Sequence, residues 1–161
     1  MAVVAWVTYD SFHRHLCDGT IALSTTEIYM HLARSGSNYS TTTLSSLGSL
    51  TGEMSATRGY SKSGELLSDT WLTGASTGEM RYDATAVIWT AGGGSLGSGA
   101  SAGADDILAA FLVAKTQTTG KDGSNKLVAW SKLSTSSFTI TDGNTLTITP
   151  SANGIFELNR A

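Results

Sequence analysis

The sequence predicts an all-β fold, a single-domain antiparallel β-sandwich of jelly-roll or Ig-like type with one short N-terminal helix. Three observations carry this. Short runs of apolar residues alternate with Thr and Ser, the period of a half-buried strand. Those runs are punctuated by Gly, Asn, Asp and Ser, with 18 glycines and one proline in 161 residues. Charged residues make up only 14% of the chain against 40% hydrophobic, and the β-branched Thr that fills the gap suits a pleated surface. The plainest alternation is Phe138 to Thr149, which reads as a β-hairpin. A three-residue loop, Asp142 to Asn144, sets Ile140 opposite Leu146 and Phe138 opposite Ile148, so that all four face one core.

The elements follow in order. Met1 to Val7 is an apolar strand or a docking arm. Thr8 or Asp10 caps a short helix through Cys17, with Phe12 and Leu16 on one face and Asp18-Gly19 as its stop. Ile21 to Leu23 and Glu27 to Arg34 read as strands. In the second, Ile28, Met30 and Leu32 share one face, and Tyr29 and His31 the other. Ser35 to Thr43 is polar and flexible, and Leu44 to Met54 holds a helical turn. Glu65 to Thr73 is a strand, Gly74 to Gly78 a turn, and Met80 to Trp89 two short strands around Asp83-Ala84. Residues 91–104 form a Gly/Ser-rich surface loop. Ile107 to Lys115 is almost continuously apolar, as in a strand covered on both faces. Lys121 to Asn125 turns the chain into the strand Lys126 to Trp130. The hairpin follows, and Ile155 to Leu158 is the last strand.

The same residues weigh against several functions. A net charge of −3 with ten scattered Lys and Arg offers no stripe for the counterion release that drives nucleic-acid binding. The apolar runs are far too short to span a membrane as helices. Cys17 has no partner in the chain and reads as a small buried hydrophobe. No signal-peptide pattern opens the sequence, so folding in a cytoplasm is expected. Gly92 to Gly97 matches G-x-G-x-x-G in form, but Ser98 to Gly103 makes a poor helix start, so a phosphate cradle is not expected. His13, His15, Cys17 and Asp18 cluster without metal-ligand spacing, because His15 leaves the helix face that His13 and Cys17 share. No nucleophile elbow or paired-carboxylate motif occurs. Neither a catalytic residue, a cofactor nor a metal is expected. Trp6, Trp71, Trp89 and Trp130 are core or interface anchors. With Tyr29, Tyr39 and Tyr60 they also leave room for a carbohydrate-binding platform.

Several motifs stand in a familiar order. Glu53 precedes Gly59-Tyr60, and Tyr82-Asp83-Ala84 leads into Val87-Ile88-Trp89. Ala109 to Ala114, Lys126-Leu127-Val128-Ala129-Trp130 and the closing Ala152-Asn153-Gly154-Ile155-Phe156 come next. With the N-terminal helix, Asp18-Gly19 and the strand through Met30 to Leu32, this order resembles the small structural virion proteins of tailed bacteriophages. The loop from Gly92 to Ala104 is longer and richer in glycine than that group's usual form. The stretch between Leu112 and Leu127 lacks an acidic turn expected there.

The resemblance implies a non-enzymatic capsid decoration, or cement, protein in the virion. Its implied partners are the major capsid protein and further copies of itself, as a trimer. A tail-fibre, baseplate or receptor-binding tail protein touching a cell-surface glycan is the alternative, and a carbohydrate-binding module a further one. The interface residues expected on this reading are Val3, Val4 and Trp6 in the arm at residues 1–7, with Tyr39 and Leu96 in exposed loops.

Overall fold

The computed structural model describes residues 5–73, 79–97, 106–117 and 123–158. Among these are ten strands, one α-helix and one 3-10 turn. The strands are β1 (Val7–Thr8), β2 (Ile28–Arg34), β3 (Glu65–Leu66), β4 (Asp69–Thr73), β5 (Met80–Ala84), β6 (Val87–Thr90), β7 (Ile107–Ala114), β8 (Lys126–Lys132), β9 (Thr145–Ile148) and β10 (Phe156–Leu158). The helix α1 spans Asp10–Cys17 and the 3-10 turn Leu47–Ser49. All strand pairings are antiparallel. The all-β, sandwich-like architecture with a single N-terminal helix is the one expected.

The centre is a five-stranded sheet in the order β1-β8-β7-β2-β3. Its middle strands are apolar on both faces because both faces are covered. One face of the sheet carries Ile28, Met30, Leu32, Ala110, Leu112 and Val128 into the main core. Phe12 of α1, Tyr82 of β5, Val87 and Trp89 of β6, and Leu146 and Ile148 of β9 close over it. They come from the helix, from a three-stranded sheet β10-β5-β4 and from a two-stranded sheet β6-β9.

The other face carries Ala33, Ala109, Phe111, Val113 and Leu127. It is covered by the irregular segment 35–50, through Tyr39, Leu47 and Leu50. The polarity of this Ser/Thr-rich segment predicts flexibility, but the segment is tied down. Asn38 holds both strands of its own loop, donating Nδ2 to the Ser49 carbonyl at 3.2 Å and accepting from Thr51 N–H at 2.7 Å. It meets the chain next to β8 through Leu47 N–H to the Asn125 carbonyl, and the start of α1 through Asp10 N–H to the Thr42 carbonyl. Apart from one bridge, Ser46 to Lys126, the segment satisfies its backbone groups by side chains and turns.

The Phe138–Thr149 hairpin does not form. Its turn does, with Gly143 at φ 80 and Asn144 N–H on the Thr141 carbonyl. The flanks then separate. Ile140 bridges to Leu96 and Phe138 to Ile107, while β9 pairs with β6, Val87 opposite Ile148 and Trp89 opposite Leu146. The turn tip itself bonds Ala91 in both directions, through Gly143 N–H and the Asn144 carbonyl, and this draws β9 to the end of β6. Phe138, Ile140, Leu146 and Ile148 nonetheless all contribute to the main core. Alternation sets which side chains point inward but not which strand they pair with.

Other expectations change locally. The helix is preceded by Tyr9 and has no side-chain cap, because the Asp10 carboxylate accepts from the Thr42 hydroxyl instead. Cys17 is exposed rather than buried. Ile21 to Leu23 is a turn-rich connection, not a strand. Glu65 to Thr73 splits into β3 and β4, which join different sheets. The predicted turn at Gly74 to Gly78 lies outside the described residues.

Candidate interaction surface

Of the residues expected to form an interface, Trp6, Tyr39 and Leu96 are described. Val3 and Val4 lie outside the described residues. Trp6 is half-buried and packs against the main core, and Val7 next to it pairs with Trp130 on the edge of the central sheet. At Trp6 and Val7 the arm is therefore part of the chain's own fold. Tyr39 is buried, stacked edge-on against Trp130 at 5.3 Å, and its carbonyl accepts the Tyr9 hydroxyl at 2.6 Å. Leu96 is completely buried, held by its bridge to Ile140. The loop beginning at residue 91 is thus seated in the core at Ala91 and Leu96, and residues 98–104 lie outside the described set. Tyr60 is buried as well, so Tyr39 and Tyr60 offer no exposed ring to a sugar.

What the surface does present is an apolar end to the three-stranded sheet. Trp71, Tyr82 and Phe156 lie opposite one another across β4, β5 and β10. Tyr82 and Phe156 stack at 4.9 Å, and Phe12 of the helix meets Phe156 edge-on at 5.1 Å. Two residues along, and so on the same face, come Thr73, Met80 and Leu158. This row has run past the helix, and Met80 and Leu158 are 43% and 39% exposed. The sheet's two outer strands, β4 and β10, have no further strand beside them among the described residues. Open edges and a bare apolar row are features that monomers usually blunt and assemblies cover. Sequence reasoning placed Met80 and Leu158 in strands. It missed their exposure, because alternation cannot show where a covering layer stops.

One polar constellation is buried. It sits where the segment 35–64 wraps from one face of the central sheet to the other, past β2. Glu53 bridges to Ala33 there. His31 Nδ1 lies 2.9 Å from Glu53 Oε1, and the Tyr60 hydroxyl donates to the same oxygen at 2.8 Å. Leu32 N–H in turn reaches the Tyr60 oxygen at 3.3 Å. His31 lies flat on Phe111 at 5.2 Å. A Cβ on Gly64 would stand 2.5 Å from His31 Nε2, at a φ of +69 that favours glycine in any case. Burial, reinforced by the Glu53 charge, holds the Tyr60 hydroxyl well above the ordinary tyrosine range. These bonds clasp β2 to the segment that carries Glu53 and Tyr60, while His31 Nε2 is buried without a hydrogen-bond partner.

The cluster His13, His15, Cys17 and Asp18 does not converge on a point, and among the described residues no group of three or more His, Cys, Asp or Glu is arranged to hold a metal ion. Comparison with protein-family models, curated proteins and solved structures finds no match to the chain.

Proposed function

We propose that this protein is a non-enzymatic structural component of a tailed-phage particle, most directly a decoration or cement protein of the head lattice. The observation that carries the reading is the pair Met80 and Leu158 beside Thr73, an exposed apolar continuation of the core onto a sheet whose outer strands have no further partner among the described residues. A rigid body with one such row is built to be completed by a neighbour, either the capsid lattice or another copy. The motif order from Glu53 to Phe156 supports the same reading. The tail alternative drew on exposed loops around Tyr39 and Gly92–Gly103, and the glycan-binding one on the Trp residues with Tyr29, Tyr39 and Tyr60; of these tyrosines, Tyr39 and Tyr60 are internal.

The test is binding of the purified chain to heads that lack it. The wild type should co-sediment with heads, and Met80→Lys with Leu158→Lys should remain folded by circular dichroism but stay in the supernatant. Equal binding by the double variant would remove this surface from the account.

A further inference from the structure

We propose that His15 makes the docking of α1 acid-sensitive, so that mild acid lifts the helix from β8 while the central sheet stays intact. The His15 residue is 5% exposed, on a helix that packs against β8. Both of its ring nitrogens are buried without a hydrogen-bond partner. A neutral imidazole tolerates that environment far better than an imidazolium, whose two N–H groups and charge all need partners.

The charged groups facing it settle the direction. Lys126 on β8 and Arg14 on the helix both oppose a positive ring, and Asp18 alone favours one. Asp18 is a weak counterion, 3.8 Å from Nδ1 and itself 45% exposed, and its carboxylate already accepts the Thr20 N–H. Desolvation is the largest influence and lowers the proton affinity of the docked ring. An undocked helix returns the ring to water and to the ordinary histidine range. Protons therefore bind the undocked form more readily. Docking is at full strength above that range and weakens as pH falls through it, towards the lowered value of the docked ring.

Release would have local consequences. Phe12, on the same helix, adds to the contact of the β10-β5-β4 sheet with the main core by packing edge-on against Phe156. The His15 carbonyl also anchors the buried Ile21 through its N–H at 2.9 Å. Undocking would thus expose Phe12 and loosen the apolar row at Met80 and Leu158, whereas β2, β7 and β8 keep their cover from the segment 35–50.

Amide hydrogen exchange at about pH 7 and about pH 5, corrected for intrinsic rates, tests this in the full chain. Protection in residues 12–17 should fall on acidification, by a factor limited by the ratio of the ring's proton affinities in the undocked and docked forms. Protection in β7 should hold. His15→Leu should abolish the acid response of the helix, and His13→Gln, altering an exposed histidine on the same helix, should keep it. Helix protection equal at the two pH values, or an acid loss that persists in His15→Leu, would overturn the proposal. If His15→Leu does not fold, NMR titration of the wild-type His15 ring decides. A midpoint below the ordinary histidine value supports the proposal, and one at or above it refutes it.

Discussion

At the residue scale, the informative positions are those where a polar or strained group had to be accommodated. Tyr60 is one. Its hydroxyl serves Glu53 and the Leu32 N–H together, so Tyr60→Phe leaves the Leu32 N–H without that partner and Glu53 with His31 alone, and should cost about 1–3 kcal/mol in urea unfolding. Gly59 is a stricter case. Its φ is +91, and a Cβ there would come within 1.9 Å of the Thr90 carbonyl oxygen, part of the backbone rather than a side chain that can move. Gly59→Ala should therefore be more damaging than Tyr60→Phe in the same assay. Leu96, expected at a surface, is wholly buried, so Leu96→Ala should lose about 2–5 kcal/mol as core truncations do. A near-neutral effect would return it to the surface. None of these roles was legible in the sequence. A Leu within Gly/Ser-rich chain looks exposed until its bridge to Ile140 is known. The clasp joins residues 22 and 29 positions apart, at Glu53 and Tyr60 from His31.

At the scale of elements, most strands were legible and their partners were not. Ile107–Ala114 announced its double-sided burial by an unbroken apolar run, and β2 by the alternation of Ile28, Met30 and Leu32 with Tyr29 and His31. Both signals are local, written by the faces on which each strand is covered. The 138–149 segment shows the limit. Its inward set was right and its pairing was not, since a strand with an apolar face can close against any open edge that offers good cross-strand partners. Val87 and Trp89 offered them. Engineered disulfides separate the two pairings. In a Cys17→Ser background, Val87→Cys with Ile148→Cys should crosslink on mild oxidation, and Phe138→Cys with Ile148→Cys should not. The opposite pattern would restore the hairpin. The division of residues 65–73 between two sheets was equally hidden, because Leu67 and Ser68 carry no turn signal strong enough to mark it.

At the scale of the molecule, the central sheet is enclosed by an irregular strap on one face and by the helix with two small sheets on the other. This leaves the two sides unequal. The strap side is sealed by side chains from within the chain. The opposite side ends in Met80 and Leu158, and β4 and β10 have no further strand beside them among the described residues. That asymmetry is what the proposed place in a phage head uses, one finished face and one face awaiting a neighbour. Because the row belongs to the chain's own ladder of Trp71, Tyr82 and Phe156, binding there should also stiffen the three-stranded sheet. The most direct measurement, on the proposal that a tailed phage encodes this chain, is its copy number in purified virions by quantitative mass spectrometry against the major capsid protein. A head-lattice protein should be present in hundreds of copies per particle. A handful of copies would place it in the tail, and its absence from the particle would contradict the structural role altogether.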